Sequence, residues 1–484
     1  CEMCIRDRTI TALTFTGGLM FNGFKQLGTS PINLSGSGSI NVKSGSEIRG
    51  DLTVSAGRIS VLGGEFFEEV FFNQTGSFAT QGEGSPVFHK DVEFKCSGTG
   101  AFQLNYPYTT FTYHEDLILN NASGGLQLGY AGTHAVKGDV IYKGAYNING
   151  WSNKIVLNGT LNQAIKREHS FTPTILRLDI NKPSGIAVLE TPLVVLLDLS
   201  LQKGELHTSA FNLLTLGSAP TITGGSDSSY VVGPLSRTGT SAFTFPLGGN
   251  GSYAPLGIDA VASSCTFKAI YIAEDPDSLY PRSQKDTTLD FVNRCGYWNL
   301  DRTSGTQNTK VTLGWSNSPC FAPSPADVKL SNWNNNSWNN SGDVSYQGNS
   351  QFGKVSMLNN YSGSYPLVAN LTGICYKVVT FKTNYDTLIY GLSGIVFLTP
   401  GNPKEVKLEV DNSLVYAGQD SIIEFTNFSN NSNLKLKYTE QQGCDHAFEK
   451  TLKAKKGSNC KINSETNPRV SCQCGTEITN ISQI

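Results

Sequence analysis

At 484 residues the chain is long enough for two or three domains, each with an ample core. Charged residues make up only 16%, against about 25% in an ordinary soluble chain. The formal net charge is −2 and no basic domain stands out (the basic stretch 450–461 reads as a solvated face), which argues against nucleic acid as a partner. Fifty glycines and the lack of long amphipathic helical stretches mark an all-β, turn-rich chain. The longest apolar run, 186–201, is interrupted by Glu190, Pro192 and Asp198, so no membrane span is expected.

The first residues stand apart. Met3-Cys4-Ile5-Arg6-Asp7-Arg8 reads as the in-frame translation of a transposase mosaic-end sequencing adapter, so residues 1–8 are expected to be an assembly artefact and are kept out of the fold reasoning.

From residue 9 to 232 a six-residue phrase recurs: basic, any, acidic, aliphatic, any, apolar. Its copies begin at Arg49, His89, His114 and Lys137, with looser ones at Phe67 and Leu196. The acidic positions Asp51, Glu69, Asp91, Asp116 and Asp139 follow one another at intervals of 18, 22, 25 and 23 residues. A period of roughly 20–25 residues, built from short strands and Gly/Asn/Ser turns, predicts a parallel β-helix or solenoid. Side chains alternate across a strand, so the apolar pairs Leu52/Val54, Val70/Phe72, Val92/Phe94, Leu117/Leu119, Val140/Tyr142 and Leu199/Leu201 are expected to point inward and stack coil on coil. The acidic column then lies outside beside a basic one (Arg49, His89, His114, Lys137), and the opposite charges offset like-charge repulsion between neighbouring strands.

That acidic column has two readings. One is a calcium ladder or carbohydrate-processing cleft in which Asp91, Asp116 and Asp139 are metal ligands. The other is a solvated, self-neutralised strand face, which the basic column favours. Arg49-Gly50-Asp51 also matches an integrin-binding tripeptide, but the repeat slot already accounts for it. His89 and His114 share one slot and should stack on adjacent coils.

A second unit is expected over 233–395. Phe243-Thr244-Phe245, Thr266–Tyr271, Tyr297–Leu300 and Lys310–Trp315 read as strands of a β-sandwich. Asn332–Ser341 is a polar loop or hairpin in which Trp333 and Trp338 are candidates for stacking on sugars, unless one of them is a core residue. A third unit, 396–484, follows Pro400-Gly401-Asn402-Pro403. Val406/Leu408/Val410 and Leu434/Leu436/Tyr438 alternate with charged residues, as in a small immunoglobulin-like module.

Setting Cys1 and Cys4 aside leaves nine of the 11 cysteines, eight of them in the second half. Cys444, Cys460, Cys472 and Cys474 suit two disulfides in any of three connectivities better than a zinc site, because Cys472-Gln473-Cys474 lacks C-x-x-C spacing. No H-E-x-x-H, G-x-S-x-G, Walker A or dinucleotide pattern occurs among the six histidines and many glycines.

Several phrases between residues 160 and 370 carry a resemblance: Leu178–Gly185, Leu201–Leu206, Tyr230–Leu235, Phe245–Gly248, Tyr253–Leu256 and Tyr297–Leu300. This stretch resembles exported, adhesin-like surface proteins of Bacteroidota that travel by type IX secretion. The resemblance implies use of export machinery, extracellular or cell-surface residence and adhesion or matrix roles. It also implies O-glycosylation at Asp277-Ser278-Leu279, Asp286-Thr287-Thr288, Asp386-Thr387-Leu388 and Asp420-Ser421-Ile422; no sorting domain of that family is visible after Cys474.

The expectation is therefore a non-catalytic extracellular adhesin or structural segment of a larger secreted surface protein, with glycans or cell-surface proteins as partners. The alternatives are a polysaccharide lyase or glycoside hydrolase on a β-helix, and a filament or matrix subunit. No cofactor is expected beyond calcium at the acidic column.

Overall fold

The computed structural model describes residues 12–77, 84–104, 108–144, 149–151, 153–289, 291–293, 296–316, 328–342, 344–349, 352–358, 360, 365–371, 395–398, 403–418, 422–425, 433–440, 448–453, 460–461 and 471–472. The artefact expected at 1–8 lies outside them.

From Ala12 to Gly239 the backbone winds as a parallel β-solenoid of about ten turns. Two parallel sheets run its length. The first passes through Ala12–Phe15, Ile32–Lys43, Leu52–Leu62, Val70–Gln74, Val92–Cys96, Leu117–Asn121, Val140–Lys143, Gln163–Arg167, Ala187–Leu189, Leu206–His207 and Val231–Val232. The second passes through Glu47–Ile48, Glu65–Phe66, Val87–Phe88, Thr110–Tyr113, Thr133–Val136, Lys154–Leu157, Thr174–Asn181, Leu193–Lys203, Leu214–Leu216 and Leu235–Gly239. Three middle coils add a short third sheet, Phe102–Gln103, Leu126–Tyr130 and Asn149–Trp151.

The sequence phrase explains the stacking. In the first sheet Leu52, Val70, Val92, Leu117 and Val140 are in register, and so are Val54, Phe72, Phe94, Leu119 and Tyr142. All ten are buried. Each such side chain contributes about 1.5–3 kcal/mol from its removal from water. The sixth pair belongs elsewhere: Leu199 and Leu201 are buried but stack on Leu178 and Ile180 in the second sheet. The column through Val140 continues instead to Ile165 and Leu189, while Tyr142 stands opposite Arg167. In the second sheet the rings of Phe66, Phe88 and Tyr113 form an interior stack with centroids 4.8 and 5.4 Å apart.

Glycine makes the corners. A Cβ on Gly57 would lie 2.2 Å from the carbonyl oxygen of Ser37, and one on Gly76 would lie 2.2 Å from that of Gly57. Gly98 and Gly125 repeat the pattern on later coils, against Gly76 and Gly100. At this corner successive coils approach too closely for any side chain.

Gly233-Pro234, at the expected domain boundary, is instead another coil corner. Gly233 takes a φ of 107° and the Thr208 hydroxyl donates to Pro234 O at 2.7 Å. The strand that follows, Leu235–Gly239, pairs parallel with Leu214–Leu216 on one edge and antiparallel with Cys265–Ile272 on the other. The open edge of the last coil is thus covered by hairpin strands. A five-stranded antiparallel sheet follows in the order Phe243–Phe245, Leu256–Ile258, Val311–Ser316, Phe352–Met357 and Val344–Gly348.

The chain divides into two compact units, Cys1–Pro281 with Asn293–Ala369, and Arg282–Val292 with Asn370–Ile484. In the second, Pro403–Val410 lies between Ser413–Gly418 and Asn433–Glu440, with Phe448–Lys453 beyond, all antiparallel. Val406, Leu408 and Val410 stand opposite Tyr438, Leu436 and Leu434. Asp411 and Asn412 both take left-handed φ, 50° and 66°, which suits a tight hairpin. No helix among the described residues is long and apolar enough to cross a membrane.

Candidate functional site

The acidic column consists of coil-to-coil clamps. Asp91 Oδ1 accepts the backbone N–H of Asp116 at 2.9 Å, Asp116 Oδ1 that of Asp139 at 2.7 Å, and Asp139 Oδ1 that of Ala164 at 2.6 Å. Each aspartate sits where the chain enters a first-sheet strand, and its carboxylate continues the ladder for one N–H beyond the regular pairing. Asp139 Oδ2 also meets Lys166 Nζ at 2.6 Å. Asp116 titrates above the ordinary carboxyl range, first because of burial, against which its bond from Asp139 acts, and then because Asp139 and Asp91 flank it. Among the described residues no group of three or more His, Cys, Asp or Glu side chains is placed to hold a metal ion.

The basic column does not pair with these aspartates. Arg49 bonds Glu47, His89 Nε2 lies 2.9 Å from Glu65, and Lys90 approaches Glu115 at 3.8 Å. Arg49 also lies over the Phe67 ring at 5.1 Å. Phe67, His89 and His114 continue as one external stack, with centroids 4.8 and 4.9 Å apart, and Lys137 Nζ lies 3.3 Å from His114 Nδ1. Burial, then Lys137 and His89, hold His114 below the usual imidazole range. In the Arg49-Gly50-Asp51 tripeptide Gly50 is buried against the Thr29 carbonyl, so the segment belongs to the coil wall.

Trp333 and Trp338 face each other across a hairpin, Val328–Asn334 with Ser337–Asn340, closed by left-handed Asn335 and Asn336. Their rings meet edge to face at 5.4 Å, and Tyr280 packs on both. Trp338 is fully buried and its indole N–H donates to Tyr280 O at 3.2 Å, while Trp333 is half-buried. Neither indole is a freely exposed platform.

Other polar chemistry is structural. Lys182 is buried, and its ammonium donates to Gly159 O, Leu161 O and Gln163 Oε1 at 3.0, 2.7 and 2.8 Å. Desolvation brings it down to about 8. Buried His134 donates from Nε2 to Leu128 O at 2.8 Å and accepts the Tyr113 hydroxyl at Nδ1 at 2.9 Å. Desolvation lowers it to about 4. Gln74, Cys96 and Asn121 form an inward polar column where the first sheet turns. Gln74 donates to Ala101 O and Asn121 accepts from Leu126 N, so their amides serve the turn backbone.

Of the glycosylation patterns, Ser278 and Thr287 are exposed, whereas those at 386 and 420 lie outside the described residues. A shallow groove of about 370 Å³ crosses the five-stranded sheet, lined by Pro255, Gly257, Asp259, Thr312, Gly314 and Lys354 among others. Sequence reasoning missed two exposed aromatics on the solenoid wall, Tyr108 and Tyr130.

The architecture defines a repeat protein of the β-solenoid class. No protein-family model matches the chain, no curated protein matches its sequence, and no solved structure matches it.

Proposed function

We propose that the chain is a non-catalytic, extracellular display segment of the adhesin or matrix kind, exported in the manner of the Bacteroidota surface proteins it resembles. The observation that carries this reading is the continuity of the ladder. The acidic residues best placed for catalysis or calcium, Asp91, Asp116 and Asp139, all spend an oxygen on the backbone of the next coil. An even wall held in this way serves stiffness, whereas a catalytic cleft interrupts the repeat and frees its carboxylates.

The later sheets carry the rest of the proposal. The five-stranded sheet, together with the antiparallel strands that continue the second solenoid sheet, suits a β-sandwich; the four-stranded sheet around Pro403–Val410 suits an immunoglobulin-like module. Such modules on a stiff rod present weak contacts many times over.

The test is a screen of the purified chain against uronate and neutral glycans in the presence of calcium. Saturable binding without product supports display. Turnover that Asp116→Ala abolishes sinks it in favour of a polysaccharide lyase or hydrolase. Electron microscopy of the same sample reads the filament alternative directly.

A further inference from the structure

The five-stranded antiparallel sheet ends on Val344–Gly348, which among the described residues pairs with Phe352–Met357 alone. The outermost strand on the other side, Phe243–Phe245, is tied to the solenoid, because Pro246 O accepts the Val231 N–H at 2.9 Å. The Val344–Gly348 edge stays open, with Ser345, Tyr346, Gln347 and Gly348 all exposed.

The register fixes what this edge offers. Asn349 N–H donates to Phe352 O at 2.7 Å and closes the hairpin. Alternate residues of an antiparallel strand turn their backbone groups the same way, so Gln347 and Ser345 spend theirs on Lys354 and Ser356, which stand opposite. Val344 and Tyr346 therefore hold N–H and C=O toward the open side. Side chains alternate too. Val344 and Tyr346 stand opposite buried Met357 and Val355, so they share the core-side face, and Ser345 and Gln347 share the other. At this rim Tyr346 is 46% exposed.

Natural sheets blunt an open edge with a lysine, a proline or a bulge. None of these interrupts Val344–Gly348, whose ladder runs without a register shift. The strand instead matches itself. A two-fold axis at Tyr346 sets its N–H and C=O against those of Tyr346 in a second copy, Ser345 against Gln347, and Val344 against Gly348. Each opposed pair is compatible: ring meets ring on the core-side face, hydroxyl meets amide on the other, and a branched side chain meets a glycine. Lys354, one strand in, stays three strand spacings from its counterpart, roughly 14 Å, beyond the screening length of about 8 Å.

We propose that Val344–Gly348 is the docking edge for a second copy of this chain, paired antiparallel about Tyr346 so that two five-stranded sheets become one. Such an interface closes on itself, so it gives dimers and not filaments. A single strand edge buries less than the roughly 1,200–2,000 Å² of a stable interface, so association is weak in solution and strengthened where many copies stand on one surface. The inference goes beyond the display reading and does not rest on it, since neither glycan binding nor turnover involves this edge.

The full chain is followed by sedimentation velocity over a wide concentration range. The parent, Tyr346→Cys and Ser345→Cys are then oxidised mildly and read on non-reducing gels, with linked peptides identified by mass spectrometry. Opposed Cα atoms at Tyr346 would lie about 5.5 Å apart, within disulfide reach, whereas the Ser345 positions are diagonal at about 7–8 Å. The expected result is a reversible monomer–dimer equilibrium and a link between the two substituted positions in Tyr346→Cys, with little in Ser345→Cys. In Tyr346→Lys the charges oppose each other, and the dissociation constant is expected to rise about tenfold or more. Circular dichroism checks that each variant melts like the parent, and Ser345→Lys carries the charge to the other face of the edge should Tyr346→Lys fail to fold. A chain that stays monomeric, a link as ready in Ser345→Cys as in Tyr346→Cys, species that grow beyond the dimer, or dimers undiminished in both lysine variants overturn the proposal. Glycan binding by a monomeric chain would leave the display reading standing while this edge fails.

Discussion

Asp116 Oδ1 accepts the backbone N–H of Asp139 at 2.7 Å, one coil further along the rod, and Asp139 repeats the contact toward Ala164. The relationship separates what the carboxylate does as a shape from what it does as a charge. An acceptor oxygen is required there; a negative charge among Asp91 and Asp139 is not.

Asp116→Asn and Asp116→Ala should therefore diverge. Asn retains the acceptor and is expected to be as stable as the parent at neutral pH. Ala leaves the Asp139 N–H without its acceptor and is expected to cost about 1–3 kcal/mol. The sign of the pH effect follows from the raised titration of Asp116. Its contribution is fully present below the unfolded carboxyl range and is lost as pH rises through its higher folded value. Urea melts of the three proteins from acid to neutral pH check this. An Asn variant as weak as Ala would show that the charge itself is needed.

The corner glycines set a stricter limit. At Gly76 a Cβ would meet the Gly57 carbonyl at 2.2 Å, a backbone atom that cannot rotate away. Gly76→Ala is expected to force adjacent coils apart and cost several kcal/mol, above the usual range for overpacking, about 1–3 kcal/mol. Gly28→Ala is the control, since nothing lies within 4 Å of its Cβ position. Soluble yield and thermal midpoint measure the difference. Equal midpoints for the two variants would mean that the corners are looser than the packing implies.

The solenoid was legible because its inward slots are chemically uniform: Val, Leu, Phe and Tyr alternate with polar residues at a near-constant interval, and burial imposes that pattern directly. The acidic slot was legible as a column but not as a clamp, since a carboxylate accepting an N–H leaves the same letter as one facing solvent. The repeat phrase puts Leu199 and Leu201 in the wrong sheet because two sheets with the same inward alternation differ only in three-dimensional position. The third sheet was hidden by length; Phe102–Gln103 is a two-residue strand, too short for a period to register. Gly233-Pro234 reads as the start of a second unit because coil corners and domain boundaries use the same residues. That one of Trp333 and Trp338 is a core residue was legible as an alternative, but not which, for a polar hairpin tip and a core-facing indole share one sequence window.

Buried His134 is expected to make the solenoid acid-labile. Its imidazole falls to about 4 in the fold, from an ordinary 6.5, because burial disfavours the cation. Between those values the unfolded chain holds a proton that the folded one lacks. Stability is thus fully present above about 6.5 and falls as pH drops toward 4, by up to about 3 kcal/mol. Thermal midpoints across this window should slope downward toward acid. His134→Gln should lower stability at neutral pH and flatten the slope. An unchanged slope would assign the acid sensitivity to other groups.

In the second unit the ladder sets Cys460 opposite Cys472, and Lys461 opposite Ser471. Of the three connectivities that the sequence leaves open, the one joining Cys460 to Cys472 fits this backbone register, and it is the pairing to test. Directly opposed residues of an antiparallel pair have Cα atoms about 4.5–5.5 Å apart, inside the range a disulfide spans. Such a bridge would contribute about 3 kcal/mol by shortening the unfolded chain, and would persist only in an oxidising compartment. Non-reducing alkylation read by mass spectrometry should find Cys460 protected in the parent, still protected in Cys474→Ser, and labelled in Cys472→Ser. Protection of Cys460 in Cys472→Ser but not in Cys474→Ser would move the bridge to the neighbouring cysteine, and with it the register of the two short strands.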